Sequence, residues 1–271
     1  MKRRTFLQLS ALAGLSPIHA VEAAEPTSSP KKGFCIGTKS GDYVRALQQL
    51  RARWFYSWNH QMPANKPDGV DFVPMIWRYQ GREETVINAA KDAKAAGIKE
   101  LLGFNEPDQK KQGNMTVEEA LAAWPVLEKT GLRLGSPGCV HPDKEWMKAF
   151  MKEVESRKLR VDFVCVHSYG GTNAEALVKR LEQVHQLYRK PIWITEFAAG
   201  DWNAQSVAEN RCKPKAVLRF MEKVLPKLDR LDFVERYAWF SAKPDNKALG
   251  TSSLFDAEGG LTRLGECYRD S

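Results

Sequence analysis

Leu101-Leu-Gly-Phe-Asn-Glu-Pro-Asp108 runs apolar, ends on an amide and a carboxylate, and is stopped by a proline that cannot continue a strand ladder. Pro191-Ile-Trp-Ile-Thr-Glu-Phe-Ala198 has the same form, a short apolar run that delivers one glutamate at its end. Both runs are bounded by proline, glycine or charge and are apolar at consecutive positions. That pattern belongs to strands covered on both faces, not to amphipathic helices.

Six more runs of this kind flank these two. In chain order the eight are Phe34 to Gly37, Arg53 to Trp58, Phe72 to Trp77, Glu100 to Glu106, Leu132 to Ser136, Asp162 to Tyr169, Ile192 to Phe197 and Val234 to Phe240. Amphipathic stretches lie between most of them: Asp42 to Leu50, Glu83 to Ala96, Val117 to Thr130, Lys144 to Arg157, Ala174 to Tyr188 and Lys215 to Leu228. Thr116 precedes Glu118 and Glu119 as a helix cap, and Gly97 and Gly131 close the helices before them. Asn59 to Gly69, rich in Pro, Asn and Gly, reads as a loop in place of a second helix. Eight strand–helix units in about 245 residues predict an α/β fold, a (β/α)₈ TIM barrel in a single domain spanning 33–271. A doubly wound open sheet is the alternative. It would carry a Gly-rich phosphate turn after its first strand, and Gly33-Phe-Cys-Ile-Gly-Thr38 is not one.

Ahead of this domain, Lys2-Arg-Arg-Thr-Phe-Leu7 and a short apolar run lead to Val21-Glu-Ala-Ala24. The run is too short to span a bilayer, so residues 1–24 read as an export signal with a twin-arginine character, and residues 25–32 as a linker. The expected location is secreted or periplasmic, in a bacterium, with no membrane attachment of the mature form. Loss of Lys2, Arg3, Arg4 and Glu22 would reduce the formal charge from +8 to +6. The basic residues are interleaved with acidic ones and form no basic run past the signal, which argues against nucleic acid as a partner. Cys35, Cys139, Cys165, Cys212 and Cys267 are odd in number and widely spaced, with no Cys-x-x-Cys pair, so no metal is expected. Cys35 and Cys165 sit in β runs as buried thiols.

In a barrel of this kind the site forms at the C-terminal ends of the strands, which singles out Glu106 and Glu196. Strands four and seven face each other across the barrel mouth. Two facing carboxylates are what glycoside hydrolysis uses: one protonates the leaving oxygen, and at a separation of roughly 5 to 5.5 Å the other attacks the anomeric carbon. Their environments must then hold one protonated and the other ionised.

The ordered set Gly103-Phe-Asn-Glu-Pro-Asp108, Gly135-Ser-Pro137, Asp162-Phe-Val-Cys-Val-His-Ser-Tyr169, Trp193-Ile-Thr-Glu-Phe197 and Tyr237-Ala-Trp-Phe240 resembles glycoside hydrolase family 128 and spans nearly the whole chain after the signal. The resemblance implies a retaining endo-β-1,3-glucanase acting on a β-1,3-glucan polysaccharide by double displacement, with no cofactor. Position by position it implies Glu106 as acid/base, Glu196 as nucleophile and Asn105 as a contact to the sugar 2-hydroxyl. Asn105 and Glu106 can share one site if the strand end bends at Pro107. A monomer is expected.

His167 and Tyr169, two apart on the sixth strand, share a face beside the nucleophile's strand. Tyr169 is expected to donate to Glu196, and His167 to position a hydroxyl or the acid/base. Trp54, Trp124, Trp146 and Trp193 are expected in the core. Trp58, Trp77, Trp202 and Trp239 follow strand ends and are expected to stack on sugar, with Trp239 as the floor of the −1 subsite. Asn59 and His60 are candidate hydroxyl contacts, and Asp108 and Asp201 border the catalytic strand ends. The competing readings are a barrel glycosidase acting on mannan or xylan and a glycan-binding protein without turnover.

Overall fold

The computed structural model describes residues 28–39 and 42–271. Eight strands appear where expected: β1 (Lys32–Cys35), β2 (Trp54–Tyr56), β3 (Asp71–Phe72), β4 (Glu100–Leu101), β5 (Arg133–Leu134), β6 (Val164–Ser168), β7 (Ile192–Phe197) and β8 (Val234–Phe240). The helices are α1 (Tyr43–Gln49), α2 (Glu83–Ala95), α3 (Val117–Glu128), α4 (Glu145–Ser156), α5 (Ala174–Tyr188), α6 (Pro214–Arg230) and α7 (Arg263–Asp270). A loop joins β2 to β3, as its proline and glycine content predicted. Six strands pair in the order β3-β2-β1-β8-β7-β6, and β4 pairs with β5. Single parallel bridges, Met75 to Leu102 and Gly135 to Phe163, join the two sheets and complete the (β/α)₈ ring.

Helix ends follow local chemistry. Thr116 accepts from Glu119 N, and the Glu119 side chain accepts from Thr116 N, a reciprocal box that satisfies two orphan donors of α3. Gly97 and Gly131 take φ of +77° and +66°, the left-handed turn that stops a helix.

Two apolar layers divide the strand residues by parity. Phe34, Phe55, Val164, Ile192, Ile194, Tyr237 and Trp239 pack outward against the helices. Cys35, Trp54, Tyr56, Cys165, Trp193 and Ala238 fill a second cluster that contains no helix residue, the barrel interior. Burial of each large side chain contributes roughly 1.5–3 kcal/mol. Trp54 and Trp193 are therefore core residues, as expected. So is Trp124, whose indole donates to Arg160 O at 2.8 Å. Trp146 is half-buried and stacks on Phe150.

The linker expected over residues 25–32 is corrected at its C-terminal end. Lys32 opens β1, is fully buried, and donates to the carbonyls of Tyr268, Arg269 and Ser271 at 2.6, 2.8 and 2.8 Å. An ammonium has three donors, which match three carbonyls left open at a helix end. The signal at residues 1–24 and residues 25–27 lie outside the described residues. Among those described, no helix is long and apolar enough to cross a membrane, and all five cysteines are free thiols.

Candidate active site

Strict alternation along β7 would place Trp193 inward, Ile194 outward, Thr195 inward and Glu196 outward. The pairing of β7 with β6 instead skips a residue, with Val166 opposite Ile194 and His167 opposite Glu196. This bulge at Thr195 reverses the parity, turning Glu196 into the barrel mouth and Phe197 out to the helix layer. In the segment after β4 a different device turns the other glutamate. Glu106 adopts φ +41°, so the chain bends between Asn105 and Pro107 as the proline suggested. A non-glycine residue held there stores roughly 1–3 kcal/mol of strain.

Four side chains converge on the two carboxylates. Tyr56 Oη and Trp58 Nε1 each donate to Glu196 Oε1 at 2.7 Å, and Tyr169 Oη donates to Glu196 Oε2. His167 Nδ1 lies 2.8 Å from Glu106 Oε1, and its Nε2 stands 3.5 Å from Glu196 Oε1. The imidazole thus bridges the pair. Gly138 makes room for it, because a Cβ at that position would lie 2.7 Å from His167 Nε2. One donor oxygen of Glu106, one of Glu196 and a ring nitrogen of His167 all fall within 4.8 Å of one another. Three side-chain donors already aim at the Glu196 oxygens, which suits a buried anion better than a cation cage.

Burial pushes the phenols of Tyr56 and Tyr169 well above the ordinary tyrosine range, and the neighbouring Glu196 charge pushes them further. Both stay protonated and act as fixed donors. Burial pulls His167 downward, but Glu196 and its hydrogen bond and charge contact with Glu106 outweigh it, leaving the imidazole above its usual 6.5. The protonated form is thus favoured between two carboxylates.

The structure brings together Glu106, Glu196, His167 and Tyr169 as the strand-end reading expected. Trp58 joins them in an unexpected way, since its indole N–H holds the carboxylate of Glu196. Trp58 and Trp77 line one cavity of about 350 Å³ with His60 and Tyr79, and neither Glu106 nor Glu196 lines it. Trp202 is 63% exposed at the rim, its ring edge-on to Tyr169 at 5.6 Å. Asn105 is buried, with its Nδ2 3.5 Å from Gln112 Oε1 and its Oδ1 without a partner among the described residues.

Trp239 is the principal correction. It points outward from β8, fully buried, donates to Ser252 O at 2.9 Å and packs on Phe197, Phe220 and Tyr268. It cannot floor a subsite. Phe240, one residue on, faces the interior instead, edge-on to Trp58 at 5.7 Å and to Tyr169 at 5.3 Å. The alternation Arg236, Ala238, Phe240 inward and Tyr237, Trp239 outward was the available signal. The carboxamide oxygen of Asn59 accepts from Gln61 N at 3.2 Å and shapes the loop. Asp108 likewise anchors a loop, accepting from Val140 N and His141 N at 3.1 and 3.0 Å. The residue missed was Tyr56, which shares the inward face of β2 with Trp54 and lies two residues before Trp58. A separate cavity of about 840 Å³, between α6 and residues 244–264, contains neither glutamate.

Residues 33–268 match the family described as glycosyl hydrolase catalytic core. Solved structures superpose closely. A subgroup I endo-β-1,3-glucanase of glycoside hydrolase family 128 from Amycolatopsis mediterranei, in complex with laminaritriose, is 36% identical, covers 89% of this chain and 98% of its own, and gives a TM-score of 0.76. A subgroup II endo-β-1,3-glucanase from Sorangium cellulosum is 29% identical at TM-score 0.71, covering 88% and 97%. A subgroup III curdlan-specific exo-β-1,3-glucanase from Blastomyces gilchristii, in complex with glucose, is 28% identical at TM-score 0.70, covering 89% and 98%. In sequence the chain also resembles alkali-sensitive linkage protein 1 of Schizosaccharomyces pombe, 28% identical over 79% of this chain, and spans 39% of that protein's length.

Proposed function

Because this chain belongs to the glycosyl hydrolase catalytic core family, and within it to glycoside hydrolase family 128, we propose that it is an endo-β-1,3-glucanase that retains anomeric configuration. The observation that carries the mechanism is the spacing of Glu106 and Glu196, which bring one carboxylate oxygen each within 4.8 Å across the mouth. That approach is nearer the roughly 5–5.5 Å of a retaining pair than the roughly 6.5–9.5 Å with which an inverting enzyme admits a water.

Glu196, held by Tyr56, Trp58 and Tyr169, attacks the anomeric carbon while Glu106 protonates the departing glucan oxygen. The C–O bond to the leaving chain breaks as the bond to Glu196 forms. Glu106, now a base, then takes a proton from water, which attacks the same carbon and releases Glu196. Asn105, buried beside Glu106 with its Oδ1 unpartnered among the described residues, contacts the sugar 2-hydroxyl. His167 keeps Glu106 oriented between the two steps. Trp58, Trp77, Trp202 and Phe240 supply apolar faces for sugar rings. The enzyme acts as a monomer on an extracellular or periplasmic polysaccharide, reached through the export signal read in residues 1–24.

The test is reducing-end release from laminarin, curdlan, mannan and xylan by the wild type, and from laminarin by Glu196→Ala with and without azide. Turnover of the β-1,3-glucans, loss in the variant and an α-glucosyl azide on rescue establish substrate class, nucleophile and retention. A well-folded wild type inert on β-1,3-glucan but active on mannan or xylan would overturn the substrate. Affinity without release of reducing ends would support the binding-protein reading.

A further inference from the structure

Among the described residues, Trp202 is one of two large apolar side chains left exposed. It lies in the loop joining β7 to α6, and its edge-on contact with Tyr169 makes it the outermost member of an aromatic series that runs through Phe240 and Trp58 to Tyr56. Three members of that series donate to Glu196. The residue before Trp202 is Asp201, which is 4% exposed and grips the far end of the same loop. Arg211 Nε and Nη2 donate to its two carboxylate oxygens at 2.8 and 2.7 Å, Arg211 N donates at 3.0 Å, and Asn203 N closes on Oδ1 at 3.3 Å. The loop is also tied to the segment after β8: Asp201 N donates to Ala248 O at 3.0 Å, and Asn210 Nδ2 to the same oxygen at 2.8 Å.

An exposed indole on a loose loop would have to be ordered each time a sugar stacked on it, and that ordering opposes binding. The fork across this loop removes the freedom beforehand. We propose that Asp201 and Arg211 are positioning residues for substrate, holding Trp202 as a preset stacking face for a glucosyl ring beyond the cleaved bond. The inference rests on the glucanase reading above and extends it to the binding of long chains. It separates Arg211 from its usual role as a surface charge, because the guanidinium is largely exposed while the carboxylate it grips is not.

The experiment is steady-state kinetics on laminarihexaose for the wild type, Arg211→Met, Arg211→Lys, Trp202→Ala and the double variant Trp202→Ala/Arg211→Met, with Tm measured for each. Arg211→Met is expected to raise KM roughly 3- to 10-fold with kcat held within about 2-fold. Arg211→Lys should behave like the Met variant, since a lysine keeps the charge but not the two-pronged fork. The double variant should bind no worse than Trp202→Ala, because the fork acts through the ring. An unchanged KM in Arg211→Met, or losses that add in the double variant, would overturn the proposal while leaving the glucanase reading intact. A wild type that does not cleave laminarihexaose would sink both.

Discussion

Tyr56 on β2 donates its hydroxyl to Glu196 Oε1 on β7 at 2.7 Å, across the width of the barrel. Two residues later Trp58 reaches the same oxygen. The second strand and the turn just after it therefore supply two of the three side-chain donors to the nucleophile.

Tyr56→Phe removes one donor to a buried carboxylate and leaves the ring in place. A hydrogen bond to a charged group contributes about 1.5–3 kcal/mol, so kcat/KM on laminarin is expected to fall roughly 10- to 100-fold with little change in Tm. An unchanged kcat/KM would show that Trp58 and Tyr169 hold Glu196 by themselves.

Phe240 and Trp239 are expected to separate function from stability. Trp239→Phe opens space in the helix layer and orphans Ser252 O, so it should lower stability by about 2–4 kcal/mol in urea unfolding while KM stays near wild type. Phe240→Ala should raise KM for laminarihexaose with a smaller loss of stability. The reverse pattern would restore Trp239 to the cleft.

His167 imposes a sign on the pH dependence of stability. Its folded pKa lies above the unfolded 6.5, because Glu196 and Glu106 favour the charged ring. Its contribution is therefore fully present below about pH 6.5 and lost as pH rises through the folded value. The Tm difference between wild type and His167→Asn, measured from about pH 6 to about pH 9, should narrow as pH rises. A difference that widens over that range would contradict the bridged arrangement.

Lys32→Met should loosen the C-terminal helix without touching the chemistry. Three carbonyls at the end of α7 lose their shared donor, which is expected to lower stability by about 2–3 kcal/mol. Hydrogen exchange should rise across Arg263–Asp270, and kcat should be retained. A Tm equal to wild type would mean that Ser29 N, which donates to Ser271 O at 3.4 Å, and the packing of Tyr268 hold the helix without it.

The strand count, the loop after β2, the helix cap at Thr116 and the four chemical groups Glu106, Glu196, His167 and Tyr169 were all legible in the sequence. Each is a local property: a run of apolar residues, a proline that stops it, a threonine three residues before a glutamate. His167 and Tyr169 were placed correctly because β6 alternates without interruption across them. Trp239 was misplaced and Tyr56 overlooked although β8 alternates from Arg236 to Phe240 and β2 from Trp54 to Tyr56. Which face a strand residue presents depends on counting from a reference that the sequence does not mark.

The sequence by itself therefore determined which elements form and which side chains stand at their C-terminal ends, since hydrophobic periodicity and backbone breakers act over a few residues. The tertiary structure decided which of those side chains look into the mouth. The bulge at Thr195 and the left-handed turn at Glu106 each rotate one glutamate by a face; Pro107 signalled the second, and nothing local marks the first. A bulge exists through mismatch with the neighbouring strand, and strain at one residue persists because the surrounding packing over-determines it. The pairing of Glu106 with Glu196 is in that sense a property of the closed barrel, formed when β4 and β7 are brought face to face.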